Sequence, residues 1–356
     1  MLVRNQQYLC DLMKQAVFRY DRELFDRLDF HDDAVFTEPA LVHFFFRSGF
    51  WLRKKAGDTL RQQVVGYLKP EERPVILRVK ADGDGLVNLP GLGYLRMVPG
   101  QGKKIRSLSL EEGMLRNFYL PETRIRLCIH RCGELTGLAL PESPEQTLTR
   151  HIGPLTDAVN FFRLAERDGW QAVEPILREV VVFRSRPGIS LTSLTYHGTL
   201  FLNLGRASVT IVSMLDLIAR ECGCMLYDLG VLDLMVENQA SRFLGRRLSP
   251  LNSLNRLYRQ RFSLGMSLSI LHTLSEWSCL LGSRQAEVIR REAGERIRGH
   301  QQHYRALREK ADSIRRNALY CDGTEPAAGN LIRELDRRFF SAAGEVMNRR
   351  SINPYP

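Results

Sequence analysis

The spacing of apolar positions changes along the chain, and each change predicts a different kind of element. In residues 5–65, apolar side chains recur three, four or seven positions apart, which predicts helices. From about Pro74, short alternating runs bounded by Gly and Pro predict β-strands, with a turn at Asp82–Gly85. Alternation over Arg124–Cys132 predicts one more strand of this segment.

Beyond Pro141 the helical spacing returns and persists for most of the chain. We expect helices at 146–168, 170–178, about 209–229, 254–281 and 284–319, and short strands at 180–183 and 193–204. The predicted fold is therefore α+β and predominantly α-helical, a helical core with a small antiparallel β segment in the first half. We divide it into an N-terminal helical region (1–73), a β-rich segment (74–140) and a helical core (141–356).

Composition places the chain among folded, non-membrane proteins. Of its 356 residues, 44% are hydrophobic and 26% are charged. No window reaches the roughly 18 to 20 uninterrupted apolar residues that a membrane-spanning helix needs. The first residues carry no apolar run of signal-peptide length, and the seven cysteines are an odd number that argues against a disulfide framework. We therefore expect a cytoplasmic protein with reduced thiols.

The net charge of +11 lies almost entirely in the last third of the chain. Residues 241–356 hold 21 Lys+Arg and 11 Asp+Glu, a net of +10, whereas residues 1–240 are nearly neutral at +1. Such a basic region suits nucleic acid or an acidic partner. Because only Tyr304 interrupts the arginines of 284–316, stacking platforms for bases are lacking, and we favour an acidic peptide or protein over nucleic acid.

Cys128, His130 and Cys132 alternate within the strand predicted over 124–132. All three side chains would then point to one face, with neighbours about 6.5 to 7 Å apart. Two interpretations follow: a half-buried strand, which we favour, or a soft-metal site, which would need a ligand from another element. Asp82 and Asp84 resemble a fragment of a calcium loop, but the later ligands are missing, so a plain turn is favoured.

The most informative stretch is 215–230, LDLIARECGCMLYDLG, on the helix expected at about 209–229. Arg220 and Cys224 are four apart on one face, with Glu221 beside them. This is the layout of an HExxH helix, in which two histidines bind a metal and the glutamate assists. An arginine stays protonated and cannot ligate, so the first ligand position is lost here.

The order of features resembles the HExxH-motif domain family of bacterial peptide natural-product maturation, which includes iron- and 2-oxoglutarate-dependent peptide β-hydroxylases. The resemblance covers roughly residues 75–320. It rests on the motif helix with its leucine-rich exit, and on further features in the same order: Leu89-Pro90-Gly91-Leu92-Gly93, the strand 198–204 (GTLFLNL), Ser249-Pro250, and an amphipathic helix ending near Leu319.

Carrying the family motif over residue by residue puts Arg220 at the first histidine, Glu221 at the glutamate and Cys224 at the second histidine. The family's downstream histidine falls near Ser263, with His272 on the same helix as the alternative. Only the glutamate matches. His272, Glu276 and Cys279 line up at i, i+4 and i+7, which indicates a core-facing stripe or, alternatively, a substitute ligand face that includes His272. We expect the old site to be structural, with arginine supplying the positive charge of the lost metal.

Three hypotheses of function follow. The leading one is a metal-free, non-catalytic relative of the peptide-modifying enzymes that has no cofactor and binds a peptide or acidic protein in a biosynthetic or regulatory setting. The second is a peptide hydroxylase that uses iron and 2-oxoglutarate through rearranged ligands. The third is a nucleic-acid-binding protein that uses the basic C-terminal third.

Overall fold

The computed structural model describes most of the chain and divides it into two compact units. It describes residues 2–48, 57–69, 76–106, 114–132, 135, 137–187, 189–205, 209–237, 249–281, 283–320, 333, 334, 337 and 340. The first unit comprises residues 3–156 and 174–209, and the second comprises 157–173 and 210–356. The boundaries at 73 and 140 that we drew from the sequence stay a prediction.

The N-terminal region of the first unit is helical, as predicted, but it is broken into short pieces. Its helices are α1 (Leu2–Tyr20), α2 (Arg22–Asp26), α3 (Asp33–Phe36), α4 (Pro39–Ser48) and α5 (Gly57–Val64), the last followed by a 3-10 turn at Val65–Tyr67. Aspartates cause two of the breaks. Asp21 and Asp32 have extended backbones, and their carboxylates accept from the amides of Leu24 and Ala34 at 2.9 Å, so each caps a new helix.

Among the described residues of the first unit, eight short strands form three sheets. They are β1 (Ile76–Lys80), β2 (Leu86–Leu89), β3 (Gly93–Arg96), β4 (Gly102–Arg106), β5 (Phe118–Tyr119), β6 (Arg126–Cys128), β7 (Glu179–Phe183) and β8 (Thr199–Asn203). β1 pairs with β4 and β2 with β3, both antiparallel, and the third sheet has the order β5-β6-β7-β8. The predicted α+β, predominantly helical class is confirmed. The third sheet adds parallel pairing, because β6 and β8 both run parallel to β7.

Two strands are shorter than the sequence predicted. The strand expected over 124–132 ends at Cys128, so His130 and Cys132 lie in the loop that follows. The strand expected over 193–204 is confined to Thr199–Asn203, because a 3-10 turn occupies Leu194–Tyr196. The predicted turn at Asp82–Gly85 is confirmed, and Gly85 takes a φ of 79°, a conformation that favours glycine.

The second unit is helical. Its elements are the end of α6 (Pro144–Ala165), then α7 (Arg167–Val173), α8 (Ile211–Glu237), α9 (Ser249–Leu281) and α10 (Arg284–Tyr320). α8 runs eight residues past its predicted end and α9 begins five residues early, whereas α10 matches its predicted range to one residue. A core of Tyr227, Leu254, Tyr258, Leu264, Leu307 and Ala311 joins the last three helices. Within the described part of the chain, no helix has both the length and the apolar character needed to cross a membrane.

Candidate functional site

The two helices that carry the motif positions run antiparallel and are tied together at three levels. The Ser267 hydroxyl of α9 donates to Asp216 of α8 at 2.6 Å. About one turn further, the Ser263 hydroxyl donates to the backbone carbonyl of Arg220 at 2.9 Å. Beyond that, the Arg259 guanidinium contacts the carboxylate of Asp228 at 2.8 and 2.9 Å. These contacts fix which residues of α9 can face the motif.

Gly223 marks the closest approach of α8 and α9. A Cβ added to it would lie 2.8 Å from the Cα of Ser263 and 3.3 Å from the sulfur of Met266. The backbones therefore touch where the second and third metal ligands of the motif would have to meet. Ser263, at the position of the family's downstream histidine, is buried with 6% exposure and fills this contact.

Arg220 pairs with a carboxylate one turn earlier on the same helix. Its Nε lies 3.2 Å from Asp216, which is 1% exposed. Asp216 also contacts Arg296 at 2.9 Å and His300 at 2.8 Å, both on α10. Burial alone would raise the pKa of Asp216, but the hydrogen bond from His300 and the charge of Arg220 hold it well below its usual range. Arg220 thus belongs to an ionic cluster of three helices, centred on the buried carboxylate of Asp216.

The arginine that acts on Glu221 and Cys224 comes from α9. Glu221 is buried with 5% exposure and Cys224 with 7%. Burial alone would lower the pKa of Arg259, but the hydrogen bond and charge of Asp228, with Cys224 and Glu221 nearby, raise it instead. Arg259 therefore supplies a permanent positive charge to this group of acidic side chains.

The two motif-helix thiols are held in their neutral form. Burial raises the pKa of Cys224 to about 11, with Arg259 and a hydrogen bond from Ser263 opposing this in part. Burial likewise raises the pKa of Cys222, and Glu221 raises it further. Because the thiolate is the form that attacks electrophiles, neither cysteine is prepared to act as a nucleophile.

His272 lies far along α9 from Ser263, the residue that contacts Gly223 of α8. It is nine residues beyond Ser263, about 13.5 Å at the helical rise. The antiparallel register therefore puts it beside the first turn of α8 rather than beside Glu221. For the face of α9 that carries His272, Glu276 and Cys279, we favoured a core-facing stripe. That prediction is wrong for Glu276 and Cys279, because both are exposed. Among the described residues, no three potential ligands that include Glu221, Cys224 or His272 lie within 4.8 Å of one another.

In the first unit, Cys128, His130 and Cys132 do have potential ligand atoms within 4.8 Å of one another. From the sequence we favoured a half-buried strand for this trio. The sulfurs of Cys128 and Cys132 are 3.9 Å apart. His130 lies between them, its Nδ1 3.0 Å from Cys128 and its Nε2 3.8 Å from Cys132. The strand interpretation is wrong because the chain turns after Cys128, which brings the side chains much closer than the strand spacing of 6.5 to 7 Å.

The turn at Asp82–Gly85 holds this loop in shape. The Asp82 carboxylate accepts from the backbone amide of Arg131 at 2.7 Å. The Arg131 guanidinium binds the carboxylate of Asp84 through two nitrogens at 2.8 and 3.0 Å. The two aspartates that resembled part of a calcium loop therefore fix the residue between His130 and Cys132.

The electrostatics of the trio favour a thiolate paired with an imidazolium. Burial alone would raise the pKa of Cys128, but the hydrogen bond from Cys132 and the charge of His130 hold it well below its usual value. Burial alone would lower the pKa of His130, yet Cys128 raises it to about 9. Burial, and then the charge of Cys128, raise the pKa of Glu179 on β7 to about 7.

A cavity of about 760 Å³ also lies in the first unit. Its lining carries both signs of charge, with Arg124 and Arg178 facing Asp33, Glu122 and Glu174. The volume is within the range of small-ligand pockets. The mixture of charges gives the cavity no preference for an anionic or a cationic ligand.

The exposed surface of α10 is strongly basic. The helix exposes seven arginines and one lysine against three glutamates, a net of +5. Four of the arginines recur every seven residues and form what we call the arginine row, consisting of Arg284, Arg291, Arg298 and Arg305. Seven residues are nearly two turns, so the row follows one side of the helix for about 31 Å. Within the described ranges, no acidic side chain lies within ion-pair distance of these four.

Comparison of the chain with protein-family models and with curated proteins finds no match.

Proposed function

We propose that this protein is a non-catalytic relative of the HExxH peptide-modifying enzymes that carries no metal at its motif helix and binds an acidic peptide or protein segment. The observation that carries the proposal is Arg259. It binds the Asp228 carboxylate through two nitrogens at 2.8 and 2.9 Å and keeps its positive charge near Glu221 and Cys224, where the resemblance would put a metal cation. A buried carboxylate needs a partner of opposite charge, and an arginine meets that need without a metal.

The packing of the motif helix supports the same view. Gly223 and Ser263 are in backbone contact, and the Ser263 hydroxyl is engaged by the Arg220 carbonyl. An iron site that also binds 2-oxoglutarate needs open coordination positions and room for the co-substrate. The contact between Gly223 and Ser263 leaves no such room at this point of the two helices. The geometry therefore favours a binding role over the hydroxylase alternative.

The arginine row supports an acidic partner. Its side chains are about 10.5 Å apart along the helix axis. Carboxylates seven residues apart on a helical peptide have the same spacing, and carboxylates three residues apart on a polyproline-II peptide lie on one face about 9.3 Å apart. Because the row lacks intramolecular partners among the described side chains, its ion pairs would form without first breaking others. The same charges can attract nucleic acid, so the test must separate the two.

The experiment is a titration of the full chain with fluorescein-labelled poly-L-glutamate, and with single-stranded and duplex DNA, at two salt concentrations. We expect poly-L-glutamate to bind, and Arg291→Ser with Arg298→Ser to weaken it about tenfold, since two exposed ion pairs contribute up to about 1 kcal/mol each. Lys310→Ser is the matched control, an exposed cation of α10 outside the row. Binding of DNA alone, with a steep loss in salt, would favour the nucleic-acid alternative instead.

A further inference from the structure

We propose that Cys128, His130 and Cys132 form a zinc site in the first unit, one that leaves a coordination position open for water or a small ligand. The inference goes beyond the proposed function, because these residues belong to a different unit from the motif helix and the arginine row. The expectation that the protein has no cofactor would then hold for the motif helix only.

The distances between the ligand atoms match a tetrahedral ion. Zinc with sulfur ligands at about 2.3 Å has an edge between the two sulfurs of about 3.8 Å. The observed distance between the sulfurs of Cys128 and Cys132 is 3.9 Å. His130 has a ring nitrogen 3.0 Å from the sulfur of Cys128, and one ligand atom from each of the three residues lies within 4.8 Å of the other two.

The chemistry of the donors selects zinc over harder ions. Two thiolates and one imidazole suit zinc, whereas calcium and magnesium prefer oxygen. Two thiolates also cancel the charge of a divalent cation. A neutral centre can be accommodated at low cost in this position, where Cys128 is fully buried and Cys132 has 6% exposure.

The surroundings hold the ligands in place before any metal arrives. Asp82 and Asp84 clamp Arg131 between the second and third ligands. An apolar cluster packs around both cysteines, with Val181, Phe183 and Phe201 from the parallel strands. Supporting contacts of this kind orient metal ligands and raise affinity. His130 is only half-buried, which gives the ion and a fourth ligand a way in.

The test is a titration of the reduced, metal-stripped full chain with Co²⁺, followed by displacement with Zn²⁺. We expect one equivalent to bind, with a sulfur-to-cobalt charge-transfer band and the visible bands of a tetrahedral ion. Zn²⁺ should remove the charge-transfer band and the visible bands. Cys128→Ser and Cys132→Ser should each weaken binding at least about 100-fold, the upper range for loss of a supporting contact alone. Cys279→Ser, which removes an exposed thiol, and Glu221→Gln, which alters the motif helix, should change neither band.

The wild-type spectrum keeps the proposal falsifiable even if a cysteine variant fails to fold. Absence of the charge-transfer band in the wild-type protein would overturn the zinc site. A band that survives in a folded Cys128→Ser, Cys132→Ser double variant would overturn the assignment of its ligands. A cobalt spectrum lost on Glu221→Gln would instead put the metal at the motif helix and contradict the proposed function, so the two failures are distinguishable.

Discussion

Asp216 is the residue that gives Arg220 its structural role. The resemblance pointed to Arg220, at the position of the first histidine, but nothing in the sequence pattern singled out Asp216, which lies one turn earlier on the same helix. The reason is that its other partners, Ser267, Arg296 and His300, come from two further helices. A sequence signal did exist: His300 falls within the apolar stripe of α10, and a histidine at such a position needs a polar partner.

Asp216 predicts how stability depends on pH. Its pKa in the folded protein is held below the value of about 3.9 for an unfolded chain. The carboxylate therefore stabilises the fold fully above that unfolded value, and the contribution is lost as pH falls below it. Urea unfolding at pH 6 and pH 3 should show a smaller drop in the free energy of unfolding for Asp216→Asn than for the wild type.

The Asp216→Asn variant should also be less stable at pH 6 by about 1 to 3 kcal/mol, because the donors of Ser267, Arg296 and His300 lose a charged acceptor. Glu295→Gln is the control, since Glu295 is an exposed carboxyl of α10. The control should track the wild type at both pH values. An Asp216→Asn variant with the same pH dependence as the wild type would contradict the assigned role.

At the scale of elements, helices were predictable and loops between strands were not. The 3.6-residue period of α10 located its ends to within a residue, and the aspartates at 21 and 32 account for breaks that periodicity missed. The alternation over Arg124–Cys132 was misleading because it continues past the end of β6. What turns the chain there is the contact of Arg131 with Asp82 and Asp84, 47 to 49 residues away, and no local pattern contains it.

The contact between α8 and α9 provides a test at this scale. Gly223→Ala would put a Cβ 2.8 Å from the Cα of Ser263, so the helices must separate. We expect a loss of about 1 to 3 kcal/mol in the free energy of unfolding, the usual effect of overpacking. Chemical denaturation followed by circular dichroism measures it.

Gly299→Ala is the matched control for Gly223→Ala. Gly299 also lies within a helix, α10, but a Cβ there meets no atom within 4 Å. Alanine should therefore stabilise by about 0.5 to 1 kcal/mol through helix propensity. If both substitutions stabilise the protein, α8 and α9 do not approach each other as closely as described.

For the whole molecule, charge and potential ligands are separated. The basic surface lies on α10 of the second unit, and the trio of Cys128, His130 and Cys132 lies in the first. Composition alone revealed the uneven charge, since +10 of the +11 falls after residue 240. It could not reveal the trio, because its geometry depends on a loop clamped by the turn at Asp82–Gly85.

We propose that the motif helix binds no metal, and the metal content of the purified protein tests this proposal. Untagged protein purified after iron or zinc supplementation should be compared with Glu221→Gln and His272→Ala variants by elemental analysis. We expect that neither Glu221→Gln nor His272→Ala lowers the metal content, whereas Cys128→Ser with Cys132→Ser removes any bound zinc. Near-stoichiometric iron or zinc that disappears on changing Glu221 or His272 would contradict the proposal.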